Sequence, residues 1–181
     1  MTRYLLDTNA YFAVLKYLAG EYQIDNIETV LEGECYISKL TQIEIISVIG
    51  QYARGRDRQV QRCDRVHAEN GEICNTAYVV ERRKKWSRQK LHDWLKLERE
   101  ISSGISGRFK LQVLMVNDKV IDEAETFIQK ALIHNFRSMD AMILGTAKAY
   151  SSDESGIVVV TADKALKAGM GRIGYPFISF V

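Results

Sequence analysis

The sequence predicts an α/β fold, a three-layer α/β/α sandwich around a parallel sheet. Two observations carry this. Short apolar, β-branched runs alternate with helical patterns along the chain, and 46% of the 181 residues are apolar with only one proline among them. Such alternation implies parallel strands joined by right-handed helical crossovers, with both faces of the sheet covered.

Arg3 to Leu6 reads as a strand ended by Asp7, and the apolar pattern from Tyr11 to Leu18 as a helix closed by Gly20. Ile24, Ile27, Val30 and Leu31 mark a second helix, and Cys35 to Ile37 a second strand. Ser38 and Thr41 open a third helix, whose Ile45, Val48 and Ile49 recur at helical spacing up to Gly50. From Arg56 to about Ser102 the chain is polar and weakly periodic, with Leu91, Trp94, Leu95 and Ile101 as its clearest stripe, and two basic helices are expected there. A Ser- and Gly-rich loop follows, and Leu111 to Val116 resumes the strands. Asp118 is expected to cap a helix carrying Val120, Ile121, Ala124, Phe127, Ile128 and Ala131 on one face. Ser138 caps another, running through Met142, Ile143 and Ala147; Ile157 to Val160 and Phe177 to Phe180 are the last strands. The expected organisation is one domain over residues 1–181, with a basic, mainly helical insertion at 54–108.

Length and composition narrow the function classes. A chain of this size buries roughly 70% of the surface its unfolded form exposes, so its core needs neither a metal nor a disulfide. The three cysteines, Cys35, Cys63 and Cys74, have no CxxC spacing, which argues against a disulfide framework and fits a reducing cytoplasm. No apolar run reaches the roughly 18 residues of a spanning helix, so no membrane role is expected.

The net charge of +2 conceals an asymmetry. Residues 51–110 hold 15 Lys and Arg against 8 Asp and Glu, whereas the rest of the chain holds 10 against 15. The richest stretches are Arg54, Arg56, Arg58, Arg62 and Arg65, then Arg82, Arg83, Lys84, Lys85, Arg88 and Lys90, with Trp86 and Trp94 interleaved. Cations beside large aromatics suit a polyphosphate with stackable bases, which makes Arg82, Arg83, Lys84, Lys85, Trp86 and Arg88 candidate nucleic-acid contacts. The competing reading is a solvated helical face whose cations pair with Glu81, Asp93 and Glu98.

Ligands of parallel sheets bind at the carboxyl ends of the strands, so acids placed there carry weight. Asp7 ends the first strand, Glu44 falls in the first turn of the helix after the second, Asp140 opens the helix after Ser138, and Asp163 follows Ile157 to Val160. These four are expected to converge on one crevice. Two carboxylates about 4 Å apart repel by roughly 4 kcal/mol at an effective dielectric near 20, so a cluster must take up protons or a cation. An oxygen-only cluster selects Mg²⁺ or Mn²⁺, and such ions serve phosphodiester hydrolysis. Each acid also has a plainer reading: Asp7 and Asp163 as helix caps, Glu44 as the partner of Thr41 in a T-x-x-E capping box, and Asp140 as a charge favoured at the positive end of its helix.

The segments Leu5-Leu6-Asp7-Thr8-Asn9, Ile37-Ser38 with Thr41 and Glu44, Ser138-Met139-Asp140-Ala141-Met142-Ile143-Leu144-Gly145-Thr146-Ala147 and Val160-Thr161-Ala162-Asp163 together resemble a PIN-domain ribonuclease, close to the VapC family of toxin-antitoxin endoribonucleases. The resemblance covers about residues 1–50 and 111–181. It implies metal coordination by Asp7, Glu44, Asp140 and Asp163, support of those carboxylates by Asn9 and Thr161, and cleavage of RNA to a 5′-phosphate and a 3′-hydroxyl. RNA is the implied substrate, with an antitoxin protein and a second copy of the chain open as partners. The insertion has no counterpart in the pattern.

Three further readings rank lower. Cys63, His67, Cys74 and His92 have spacings that match no zinc pattern apart from the helical turn between the first two. A Ser-His-Asp triad through His134 lacks a G-x-S-x-G elbow, and no Walker or G-x-G-x-x-G loop occurs. Asp7-Thr8-Asn9 also resembles the nucleophile loop of haloacid-dehalogenase-type phosphatases, but Asn9 stands where that loop carries a second Asp. The main alternative to a nuclease is a non-catalytic nucleic-acid-binding PIN-like module.

Overall fold

The computed structural model describes residues 1–21, 23, 27–55, 59–62, 77–80, 84–105, 109–129, 136–152 and 156–180. In chain order the elements are β1 (Arg3–Leu6), α1 (Thr8–Leu18), α2 (Ile27–Leu31), β2 (Glu34–Ser38), α3 (Lys39–Arg54), β3 (Gln59–Arg62), β4 (Ala77–Val80), α4 (Arg88–Ser102), β5 (Leu111–Leu114), α5 (Asp118–Gln129), α6 (Ser138–Ala149), β6 (Ile157–Thr161), α7 (Lys164–Ile173) and β7 (Phe177–Ser179).

Five strands form a parallel sheet in the order β5-β2-β1-β6-β7. Its side chains alternate between two cores, as the two-residue period of a strand requires. Tyr4, Leu6, Cys35, Ile37 and Val160 pack with α1 to α4, while Leu5, Tyr36, Ile157 and Val159 pack with α5 to α7. The sheet is therefore the middle of three layers, as the sequence predicts. The strand order reverses direction between β1 and β6, and the Asp7 amide extends that pairing with a 3.0 Å bond to the Val160 carbonyl. Such a reversal opens a crevice at the carboxyl ends of the two strands.

Several expectations are corrected. Where a second basic helix is expected before α4, the described residues Gln59–Arg62 and Ala77–Val80 pair as antiparallel strands, in keeping with the β-branched and aromatic run Tyr78-Val79-Val80. Helix α3 passes through Gly50 and ends at Gly55, whose φ of +72° suits glycine. Asn117, not Asp118, caps α5 by accepting from the Val120 amide at 3.0 Å, and Arg137, not Ser138, precedes the first turn of α6. Ile121 and Ile128 are exposed, leaving Val120, Ala124 and Phe127 as the buried face of α5; Ile24 and Ala131 lie outside the described residues. Helix α4 belongs to the core, burying Trp94, Glu98 and Ile101. Glu98 turns inward instead of toward solvent, with the charges of Arg99 and Lys39 acting on it; Lys90 bonds Glu21 at 2.6 Å, and Asp93 accepts from Gln89. Glu81 lies outside the described residues. Among the described residues no helix is long and apolar enough to cross a membrane.

Candidate active site

Two strand-to-helix turns and two helices place the four acids. Asp7 leaves β1 in an extended conformation and caps α1, its Oδ1 accepting from the Ala10 amide at 2.6 Å while Oδ2 accepts from the Thr161 hydroxyl. Asp163 leaves β6 and caps α7, its Oδ1 accepting from the amides of Ala165 at 2.7 Å and Leu166 at 3.0 Å. Thr161 is fully buried between them, because its oxygen also accepts from the Asp163 amide at 2.9 Å. One hydroxyl thus fixes the two loops at the sheet's switch point. Asp140, the third residue of α6, accepts from the Arg137 amide at 2.9 Å. Glu44 is the sixth residue of α3, a turn later than the sequence suggests.

That difference removes the capping-box reading of Glu44. Ser38 caps α3 and accepts from the Thr41 amide at 3.0 Å, and the two hydroxyls are also 3.0 Å apart. Thr41 therefore sits inside the first turn, and Glu44 has no cap to complete; its carboxylate accepts from the Thr8 hydroxyl instead. For Asp7, Asp140 and Asp163 the plainer reading holds: each accepts from amides at a helix N-terminus, and this same bonding aims it at the crevice.

All four acids line one pocket of about 400 Å³, together with Thr8, Asn9, Arg137, Ser138 and Met139 and with Val48, Ile143 and Leu166 as its apolar wall. Asn9 stands at an exposed position on its rim. Sequence reasoning missed Thr8 as the holder of Glu44 and Arg137 as the pocket's cation. The signals were present, since Thr8 directly follows Asp7 and Arg137 directly precedes the turn that carries Asp140.

The electrostatics are those of crowded anions. Asp7 is 5% exposed, and burial, reinforced by the charges of Asp163 and Asp140, raises its pKa to about 6 against the lowering effect of its bonds to Thr161 and Ala10. Burial also raises Asp140, with Asp163 and Glu44 adding to the shift and the Arg137 amide and charge opposing it. These hard oxygen donors, whose negative charge exceeds the single positive charge of Arg137 in the pocket lining, fit a divalent cation such as Mg²⁺ or Mn²⁺. Among the described residues, no three His, Cys, Asp or Glu side chains already form a group that could hold an ion; the acids ring the pocket without closing on one point.

Of the other candidates, Cys63, His67, Cys74 and His134 lie outside the described residues, as do Arg82 and Arg83. Cys35 is a free, buried thiol pushed up to about 12 by burial. Lys84, Lys85 and Trp86 line a different cleft, and Arg88 is exposed at the start of α4.

Residues 4–169 match the PIN domain family model. No curated protein sequence matches the chain. Among solved structures, the chain is similar to DNA-bound VapBC from Salmonella typhimurium (15% identity over 99% of this chain and 98% of that one, TM-score 0.53). It is also similar to VapBC2 from Rickettsia felis bound to a promoter DNA fragment (14%, 99% and 100%, 0.54) and to FitAcB from Neisseria gonorrhoeae (16%, 97% and 96%, 0.53). At these identities the likeness is one of fold.

Proposed function

Because the chain belongs to the PIN domain family, we propose that it is a divalent-metal-dependent endoribonuclease whose active site is the acidic pocket at the β1/β6 switch point, and that it acts as the toxin of a toxin-antitoxin pair. The observation that carries this reading is the meeting of Asp7, Glu44, Asp140 and Asp163, from four separate elements, in one pocket.

Asp7, Glu44, Asp140 and Asp163 would hold the ion. Bound there, Mg²⁺ or Mn²⁺ supplies Lewis acidity toward a phosphoryl oxygen and lowers the pKa of an attacking water. The chain's own groups do the rest. Thr161 holds Asp7 and the Asp163 loop in register, and Thr8 holds Glu44 over the same pocket. Arg137 is the lining residue with the charge to meet a non-bridging phosphate oxygen. Val48, Ile143 and Leu166 give the pocket a wall that excludes water from one side. That VapBC and FitAcB are among the similar structures supports an antitoxin partner; the proposal further takes the chain as one domain acting in the reducing cytoplasm that its cysteine pattern suggests.

The test is cleavage of mixed RNA by purified protein with Mg²⁺ or Mn²⁺, repeated with EDTA and followed by end analysis. The reading expects cleavage abolished by EDTA and products with a 5′-phosphate and a 3′-hydroxyl. Cleavage indifferent to EDTA, or none with either metal, contradicts it.

A further inference from the structure

Thr8, Phe12 and Lys16 recur at every fourth position of α1, and Glu44, Val48 and Tyr52 do so on α3, so each set forms one stripe of its helix. The stripes meet. Thr8 donates to Glu44, the Phe12 and Tyr52 rings are 4.5 Å apart between centroids, and Lys16 Nζ lies 5.2 Å from the Tyr52 centroid. One end of this seam is the acidic pocket, which Thr8, Glu44 and Val48 line. The other is a second cleft, of about 480 Å³, lined by Lys16, Tyr52, Lys84, Lys85, Trp86 and Lys90. Eight helical residues separate the two ends on each helix, which is about 12 Å.

The second cleft has the opposite charge to the first. Among its described lining residues four lysines face one acid, Glu21, which pairs with Lys90 at 2.6 Å. Lys84 and Lys85 are exposed. Its aromatic wall is braced from behind: Trp86 lies 6.5 Å from Tyr52 and 5.0 Å from Trp94 between centroids, and Lys90 Nζ is 4.8 Å from the Trp86 ring. Exposed ammonium groups beside a fixed aromatic wall suit a sugar-phosphate backbone and an unstacked base. An acidic peptide would use the lysines and gain less from the rings.

We infer that this cleft is a second anchor for a single-stranded RNA whose scissile phosphate lies in the acidic pocket, the strand following the α1–α3 seam between them. The inference rests on the ribonuclease reading above. A stacked strand advances about 3.4 Å along its axis per nucleotide, so the seam spans three or four nucleotides of such a strand.

The experiment is fluorescence anisotropy with a labelled twelve-nucleotide single-stranded RNA of mixed sequence, in EDTA, across a salt series. It compares the unaltered protein, Lys84→Glu with Lys85→Glu, and Lys119→Glu with Lys148→Glu, which makes the same charge change at exposed positions away from the cleft. The cleft variant is expected to bind at least about tenfold more weakly and to flatten the slope of log affinity against log salt by about 1.4, or 0.7 per lost phosphate contact. The control variant is expected to bind within about twofold of the unaltered protein. Equal RNA affinity for the cleft variant and the unaltered protein overturns the inference, even if that variant loses an acidic protein partner, and so does an equal loss in the control. No turnover is read, so RNA binding through the lysines in a protein that never cuts RNA would leave the cleft as an RNA anchor and refute the ribonuclease reading together with the scissile phosphate placed in the acidic pocket.

Discussion

Asp7 performs two tasks whose electrostatic demands conflict. Capping α1 requires an oxygen that accepts from the Ala10 amide, whereas burial beside Asp163 and Asp140 disfavours the charge on that oxygen. In the metal-free protein this conflict makes stability depend on pH. The folded state holds the Asp7 proton up to a pKa of about 6, above the ordinary 3.8, so it binds more protons than the unfolded chain in between. Its stability therefore falls as pH rises from about 4 to 6 and stays low above that. Asp7→Asn keeps an accepting oxygen and removes the charge. Measured by denaturant unfolding in EDTA, it should stabilise the protein at pH 7 by on the order of 2 to 3 kcal/mol, with the gain vanishing below about pH 4. A gain independent of pH would show that Asp7 is not a destabilised anion. Glu44 offers a second comparison at this scale. Thr41→Ala removes the hydroxyl that pairs with Ser38 and should cost about 1 kcal/mol of stability with cleavage retained. Glu44→Gln should keep stability and lose cleavage at limiting metal, and full turnover in that variant would remove Glu44 from the site.

The helix that carries Asp140 is positioned by what it lacks. A Cβ on Gly145 would stand 2.7 Å from the Ala124 amide nitrogen and 2.7 Å from the Val120 carbonyl oxygen. Both are backbone atoms of α5, so no rotamer change relieves the clash and the two helices must separate. Gly145→Ala should destabilise the fold by about 1 to 3 kcal/mol, the range of overpacked cores, and lower cleavage by displacing Asp140. Unchanged stability in an unfolding titration would contradict this close crossing. Elements of this kind were largely legible in the sequence. Strands β1, β2, β5, β6 and β7 and helices α1, α3, α5 and α6 stand where periodicity puts them, with ends displaced by at most four residues. Ends shift because single local caps set them: Ser38 and Asn117 open, and Gly55 closes, helices that the apolar pattern alone bounds loosely. Helix α4 was the harder case. Its composition is basic and polar, yet it buries Glu98 along with Trp94 and Ile101, and a charge run gives no sign that one of its acids turns inward. Burial raises the Glu98 pKa, and its Oε1, like the Tyr11 hydroxyl, has no hydrogen-bond partner among the described residues.

For the whole molecule, the sequence contained the four acids and their order but not the sheet order that brings them together. Strand order depends on pairings between residues such as Leu6 and Val160, which lie far apart in the chain, and local periodicity says nothing of them. Once β1 lies beside β6, the loops of Asp7 and Asp163 must be neighbours, and Thr161 joins them. The basic cleft was half legible for the same reason. Lys84, Lys85 and Trp86 stood out as a local charge and aromatic run, whereas Lys16 and Tyr52 joined them only through the packing of α1 against α3. The central claim is that the acidic pocket is one metal-dependent catalytic site. Its most direct test is the initial rate of RNA cleavage as a function of Mn²⁺ concentration for the unaltered protein, Asp7→Asn and Asp140→Asn, each first shown to be folded. The account predicts a rate that saturates with metal in the unaltered protein and falls by about a hundredfold or more in each variant, the scale of removing a group that stabilises charge in a reacting site. Full cleavage by both variants at limiting Mn²⁺ would contradict it.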